Sequence, residues 1–146
     1  MRYEHGSKTM MSKKCKYALK ALRCLSQSKL TVTRSADIAN KENIPKKFLE
    51  TILLELKTHG FVGSKQGKEG GYFLLKNAQE IKISEVYRLF DGAIALLPCA
   101  SEKYYQACDD CTHPESCRMR LVFTEIRNKT YDLLSHTAIS DLQDDF

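Results

Sequence analysis

The sequence has no long apolar segment. A membrane-spanning helix requires about 20 consecutive apolar residues, and the 146-residue sequence contains no run of nearly that length. The first residues, MRYEHGSKTMM, lack the apolar middle of a signal peptide. Glycine and proline are scarce, with seven and three copies, while hydrophobic residues make up 42% and charged residues 28% of the chain. These features predict a folded cytoplasmic protein without a membrane segment and exclude a disordered one.

Sequence signatures of enzymes are also missing. The chain contains neither a glycine-rich nucleotide-binding loop nor the nucleophile elbow of hydrolases. We therefore predict that the protein is not an enzyme. Six cysteines are present, but the cytoplasm keeps thiols reduced, so a disulfide framework is not expected. Metal binding, redox chemistry and simple burial remain as explanations for them.

Positive charge is concentrated in the N-terminal half. Residues 12–76 contain 14 Lys and Arg against 5 Asp and Glu, whereas residues 77–146 contain 7 against 12. A positive half without an acidic counterpart attracts a phosphate backbone, because each neutralised phosphate releases condensed counterions. A solvated lysine-rich surface would give the same count. The charge therefore permits nucleic-acid binding without establishing it.

The basic half contains a pattern of three helices. Apolar residues recur at helical spacing from Ser12 to about Ser26, and Cys15 and Cys24 fit this stripe as small buried residues. Thr33 or Ser35 can cap a short second helix, and residues 40–43 supply a turn. Pro45 then opens a third helix that Gly60 ends. Two helices joined by a tight polar turn predict a helix-turn-helix, whose second helix faces DNA with Lys46, Lys47, Glu50 and Thr51.

A glycine-rich hairpin follows the third helix. Residues 61–65 and 71–75 read as short strands around the loop QGKEG. The glycines permit a tight turn, and Lys65, Gln66 and Lys68 place polar and positive groups at its tip. Helix, helix-turn-helix and basic hairpin in this order predict a winged helix-turn-helix that binds double-stranded DNA.

Two further helices complete the fold. Ser84 and Gly92 bound a short amphipathic helix, and residues 118–136 form a long one with a continuous apolar stripe. Because the winged domain already has a core, that stripe needs a partner, and a homodimer supplies one. We predict a mainly α fold with a small β-hairpin wing. Its parts are an arm at 1–11, the winged domain at 12–92, a cysteine-rich sensor loop at 93–117, and a dimerisation helix and tail at 118–146.

The sensor loop holds four of the six cysteines. Cys99, Cys108, Cys111 and Cys117 fall within nineteen residues, with the spacing C-x8-C-x2-C-x5-C. Thiolates gathered so densely suit iron in an iron–sulfur cluster or tetrahedral zinc. Free or buried thiols remain the simpler alternative. Cys108, Cys111 and Cys117 are the predicted metal ligands. Cys99 is the predicted fourth cofactor-binding residue, and His113 is the alternative to it.

These segments together resemble the Rrf2 family of bacterial transcription regulators. The likeness rests on KKFLETILLELKTHGFVGSKQGKEGGYFLLK, on IKISEVYRLFDG and on the cysteine loop before a long helix, and extends from Ser12 to Leu142. It implies a winged-helix homodimer that reads a palindromic operator. Many members hold an iron–sulfur cluster on three cysteines, of which Cys111 and Cys117 match the last two. Arg120 stands where some members have a histidine.

The leading hypothesis is a DNA-binding transcription regulator, more specifically a repressor. Its [2Fe–2S] or [4Fe–4S] cluster, or its bare thiols, would sense redox, iron–sulfur or nitric oxide status. The alternative is a zinc-bound or thiol-based structural protein without a cluster, which predicts no salt-dependent DNA binding.

Overall fold

The computed structural model describes residues 11–143. Its helices are α1 (Lys13–Gln27), α2 (Ser35–Glu42), α3 (Lys46–Thr58), α4 (Ile83–Asp91) and α5 (Arg118–His136), and its strands are β1 (Val62–Lys65) and β2 (Gly71–Leu74). Three one-turn helical segments span Pro98–Ala100, Pro114–Ser116 and Ile139–Leu142. This order confirms the predicted mainly helical fold with a hairpin wing. Within residues 11–143, none of the helices combines the length and apolarity that a membrane crossing requires.

The core lies between α1, α2 and α3 and is closed by β1, α4 and the C-terminal turn. Its fully buried large side chains are Leu22, Ile38, Leu49, Ile52, Leu53, Leu56, Val62, Ile81, Val86 and Ile139. Cys15 and Cys24 are also buried, which confirms the interpretation of both as small core residues. Burial, reinforced by the charge of Asp91, raises the pKa of Cys15 to about 12. Cys15 is therefore a neutral, unreactive thiol at pH 7.

A buried ion pair fixes the helix-turn-helix to α1. Glu42 ends α2 and is 5% exposed, and its carboxylate accepts a hydrogen bond from the guanidinium of Arg23 at 3.1 Å. The ammonium of Lys20 donates to the backbone carbonyl of Glu42 at 3.3 Å. Since a buried carboxylate is costly unless paired, these contacts hold the end of α2 in place.

Three expected helix boundaries were wrong by a few residues. α2 begins at Ser35 with Arg34 as its N-cap, because the backbone of Thr33 pairs with Tyr72 instead. α2 also continues through the expected turn to Glu42, and Asn43 ends it with φ 52°, a conformation that asparagine tolerates. α4 begins at Ile83 rather than after Ser84, because the Glu85 carboxylate accepts the Lys82 backbone N–H at 3.0 Å.

The wing is joined to the segment before α2. β1 and β2 pair antiparallel from Val62 opposite Leu74 to Lys65 opposite Gly71. Thr33 adds a single antiparallel β-bridge to this two-stranded sheet, since its N–H donates to the Tyr72 carbonyl at 2.9 Å and its carbonyl accepts the Tyr72 N–H at 2.8 Å. A Cβ at Gly71 would lie 2.6 Å from the Thr33 carbonyl oxygen. Glycine therefore lets the wing approach the helix-turn-helix.

Gly71→Ala is expected to lower the free energy of unfolding by about 2 kcal/mol, because the new methyl group displaces Thr33 and weakens its two hydrogen bonds to Tyr72. Chemical denaturation measures the loss, with Gln66→Ala at the exposed wing tip as the matched control. A Gly71→Ala protein as stable as the control would show that Thr33 can move away at no cost.

Helix α5 packs only partly on the rest of the chain. It contacts α4 and the Pro98–Ala100 turn, and the Arg88 guanidinium lies 4.7 Å from the ring centre of Tyr131. None of its residues is buried. After α5 the chain returns to the core, where the Ile139 N–H donates to the Ile81 carbonyl at 2.9 Å. The C-terminal end of α5 is thus anchored, whereas much of its apolar surface is uncovered.

Candidate nucleic-acid interface and cysteine loop

The predicted groove-facing residues lie on the exposed side of α3. Lys46, Lys47, Glu50 and Thr51 are all exposed, while the opposite side of the helix packs in the core. The Lys46 ammonium lies 3.9 Å from the Glu50 carboxylate, and the Thr51 hydroxyl donates to the Lys47 carbonyl at 3.1 Å. Exposed pairs of this kind contribute little to stability. These side chains are therefore available to a partner.

The wing tip carries the second predicted set. Lys65, Gln66 and Lys68 are exposed and follow directly from β1. Within residues 11–143, neither lysine forms an ion pair. Two unneutralised cations at the end of a narrow hairpin can approach a phosphate backbone closely.

An open groove of about 500 Å³ joins α3 to the wing. Among the described residues that line it, none is acidic. Five are cationic, namely Arg34, Lys46, Lys57, Lys65 and Lys68. The Lys57 ammonium donates to the Ser64 hydroxyl at 2.7 Å, which holds it between helix and wing. We name this surface the basic groove. It can accept polyanionic backbone phosphates.

Sequence reasoning missed two of these cations. Arg34 lies directly before α2, where its guanidinium pairs with Asp37 at 3.0 Å, and Lys57 occupies the last turn of α3. Neither belongs to the recognition face or to the wing tip. Both lie in the basic groove because Thr33 pairs with Tyr72, and local sequence patterns do not predict this pairing.

Two of the four loop cysteines are in contact. Cys99 is buried in the Pro98–Ala100 turn, Cys108 is exposed, and the Cys108 thiol donates to the Cys99 sulfur at 3.8 Å. The backbone N–H of Gln106 donates to the Pro98 carbonyl at 3.2 Å, which brings the loop back to its start. The hydrogen bond to Cys99 raises the pKa of Cys108, and negative charge at Cys99 adds to the effect.

Within residues 11–143, the Cys111 and Cys117 sulfurs make no hydrogen bond to the sulfurs of this pair. Both are half-buried. Cys111 closes a turn by donating its N–H to the Cys108 carbonyl at 3.2 Å, and the Cys117 sulfur caps α5 by accepting the Arg120 N–H at 3.5 Å. Within residues 11–143, no three His, Cys, Asp or Glu side chains are gathered as a metal site. The structure thus brings Cys99 to Cys108 but does not assemble Cys108, Cys111 and Cys117, and His113 is exposed.

The donor set nevertheless suits a thiophilic metal. Four thiols occur on one loop whose regular structure is limited to two single turns. Cys108, Cys111 and Cys117 all lie outside the hydrophobic core, so their sulfurs can converge on an ion without opening it. Thiolates are the ligands of iron–sulfur clusters and of structural zinc. The residues therefore fit such a group in chemistry.

Arg120 connects the loop to α5. Its guanidinium donates to the Cys99 carbonyl at 3.0 Å and to the Pro114 carbonyl at 3.4 Å, and it lies 5.6 Å from the ring centre of Tyr105. One side chain in the first turn of α5 thus holds three separate parts of the loop. The sequence showed Arg120 only as a replacement for a histidine, and its bridging role depends on the folded loop.

Most of the chain is similar in sequence to known proteins. Residues 11–145 match the Rrf2 family model, described as an iron-dependent transcriptional regulator. The chain belongs to the Rrf2 family. An rrf2-like HTH-type transcriptional regulator of Rhodobacter capsulatus is 42% identical over 137 residues, which cover 91% of each chain. The HTH-type regulator IscR of Pectobacterium atrosepticum is 27% identical over 107 residues, covering 73% of this chain and 62% of IscR.

Solved structures agree with this assignment. CymR, the global cysteine regulator of B. subtilis, superposes with a TM-score of 0.75 at 25% identity, covering 90% of this chain and 94% of CymR. IscR of T. potens superposes with a TM-score of 0.70 at 19% identity, covering 92% and 86%, and shows the fold alone. The chain is therefore a DNA-binding transcriptional regulator with a winged-helix fold and not an enzyme.

Proposed function

We propose that this Rrf2 regulator is a cytoplasmic homodimeric repressor that binds a palindromic double-stranded operator. The basic groove carries the proposal, because it continues from the exposed face of α3 to the wing tip. Placing α3 in a major groove would bring Lys47 and Thr51 to base edges and Lys65 and Lys68 to the flanking phosphates. A two-fold dimer matches a palindrome, since each subunit then reads one half-site.

In this proposal, three of the four predicted parts of the chain have separate roles. Residues 12–92 bind DNA, residues 93–117 sense, and residues 118–146 dimerise, preceded by the arm at 1–11, of which residues 1–10 lie outside the described part. The apolar residues exposed along α5 support the dimer, as do the contacts that fix both ends of this helix. A surface of that kind is normally covered by a partner.

We further propose that the sensor loop holds an iron–sulfur cluster, [2Fe–2S] or [4Fe–4S], on Cys108, Cys111 and Cys117, with Cys99 as a further ligand. A bound cluster would supply a redox-active, nitric-oxide-reactive centre. Zinc or bare thiols are the alternatives. A visible spectrum of anaerobically purified protein, combined with iron and zinc analysis, separates the three: iron with visible absorbance supports the cluster, and zinc or metal-free protein contradicts it.

The route from sensor to DNA would be short. Cys117 caps α5 and Arg120 holds the Cys99 carbonyl, so a change in the loop displaces the first turn of α5. In a dimer joined through α5, such a displacement alters the distance between the two recognition helices. Ligand-dependent differences in dimer geometry are sufficient to change DNA affinity.

Lys65→Ala and Lys68→Ala are each expected to weaken binding to all DNA sequences alike. Each should reduce the slope of log affinity against log salt concentration by about one, because one phosphate contact is lost. Arg34→Ala should behave in the same way if the basic groove contacts the backbone. Fluorescence anisotropy over a salt series measures the slope, with Lys103→Ala at an exposed position of the cysteine loop as the control. Unchanged affinity in both wing variants would contradict a wing at the DNA.

A further inference from the structure

The contact between Cys99 and Cys108 has features of a pre-formed dithiol. Their sulfurs are 3.8 Å apart, and the loop between them is closed by the hydrogen bond from Gln106 to Pro98. Within residues 11–143, no other two cysteine sulfurs are in hydrogen-bonding contact, and the six thiols described are all free. Cys15 and Cys24 are enclosed in α1, and the Cys117 sulfur is engaged by the helix backbone.

The two cysteines of this pair differ in burial and in how firmly they are held. Cys99 is 6% exposed, and its carbonyl is held by Arg120, so its position is fixed. Cys108 lies in a stretch, residues 102–110, in which every residue is exposed. A disulfide has a sulfur separation of about 2.0 Å. The remaining approach can therefore be made by the exposed segment, without displacement of Cys99 or α5.

We propose that Cys99 and Cys108 are a peroxide-oxidised modification site that forms a disulfide within one subunit. Each thiol loses its proton and the sulfurs together give up two electrons as the S–S bond forms. Hydrogen peroxide accepts the two electrons and two protons, its O–O bond breaks, and two water molecules leave. A dithiol reductant restores the thiols by exchange. This proposal deepens the sensor function proposed above and rests on it for its regulatory meaning.

The disulfide would compete with metal for the same sulfurs. A bound metal needs thiolates, and an oxidised Cys108 no longer supplies one. Oxidation of the metal-free protein would thus leave Cys111 and Cys117 as the free loop thiols and hold the sensor in its unloaded state. Because Arg120 keeps Cys99 in place, the winged domain should be unaffected.

Chelator-treated, reduced protein is exposed to hydrogen peroxide, and its free thiols are then alkylated before mass spectrometry. We expect each chain to lose two hydrogen atoms and the peptides containing Cys99 and Cys108 to be linked. Cys111 and Cys117 should be alkylated in the native protein, and Cys15 and Cys24 only after unfolding. Circular dichroism should show unchanged helix content.

Variants determine which sulfurs form the link. Cys99→Ser and Cys108→Ser should each abolish the linked peptide, whereas the matched variant Cys111→Ser should retain it at the wild-type yield. Links from Cys108 to Cys111, links between chains, or sulfinic acid at Cys108 without a link would each overturn the proposal. The assay requires neither DNA nor metal. A protein that forms the link but never takes up iron would therefore overturn the cluster proposal and leave this one standing.

Discussion

Ile126→Asp is expected to convert the protein from a dimer to a monomer. Ile126, which is 39% exposed, lies on the exposed apolar face of α5. The same face carries Met119, Val122 and Leu133, which are 61%, 56% and 69% exposed. Their spacing of three, four and seven residues places them along one side of the helix. Within residues 11–143 these side chains are covered only in part, although the ends of the same helix are held to the domain.

The expected loss is large because a two-fold interface contains each substitution twice. Burying an isoleucine side chain contributes about 1.5–3 kcal/mol, and a buried unpaired carboxylate adds a further penalty. A loss of about 4 kcal/mol per dimer corresponds to a roughly thousandfold weaker association. Light scattering over a concentration series measures it.

Asn128→Asp is the matched control, since it adds the same charge at an exposed position of α5 away from the apolar side. It should leave the dimer intact. A wild-type protein that remains monomeric at high concentration would contradict the assignment of α5 as the dimerisation helix. An Ile126→Asp protein that stays dimeric would place the interface elsewhere.

The longer elements of the fold could be predicted from sequence because their apolar periodicity is strong. Residues 118–136 carried an uninterrupted stripe and form α5 with the same bounds. The strands flanking QGKEG were placed to within a residue. The errors lie at the starts of α2 and α4 and at the end of α2. The start of α2 differs because the backbone of Thr33 pairs with Tyr72, which is a tertiary contact. The start of α4 differs because the Glu85 carboxylate accepts a backbone N–H, and the end of α2 differs because Asn43 adopts a left-handed conformation.

The candidate site was predictable only in part for a similar reason. Residue type and helical spacing were enough to place Lys46, Lys47 and Thr51 on one exposed face. Arg34 and Lys57 join the basic groove because the wing folds back on the segment before α2, across more than thirty residues of chain. In the cysteine loop, the sequence predicts Cys108 as a ligand together with Cys111 and Cys117, and it gives no signal for a contact of Cys108 with one particular cysteine. The structure joins the Cys108 thiol to the Cys99 sulfur, because the Gln106–Pro98 hydrogen bond closes the loop.

Cys111→Ala and Cys117→Ala are each expected to abolish the visible absorbance of anaerobically purified protein. A cluster needs every thiolate ligand, and an open coordination position is attacked by water or oxygen. Helix content should persist, because neither residue belongs to the core. Cys15→Ala and Cys24→Ala are the controls, since both sulfurs are buried in α1 and should leave the spectrum unchanged.

Cys117 allows a sharper test because its side chain also caps α5. Cys117→Ala removes ligand and cap together and should lower the free energy of unfolding by about 0.5 kcal/mol, since sulfur is a weaker acceptor than the oxygen of the usual cap residues. Cys117→Ser keeps a hydrogen-bond acceptor at the cap but replaces the soft sulfur with a poor ligand for iron. It should therefore retain wild-type stability while losing the absorbance, which separates the two roles of this residue. Cys111→Ala or Cys117→Ser protein with full iron content would show that the cluster is held elsewhere.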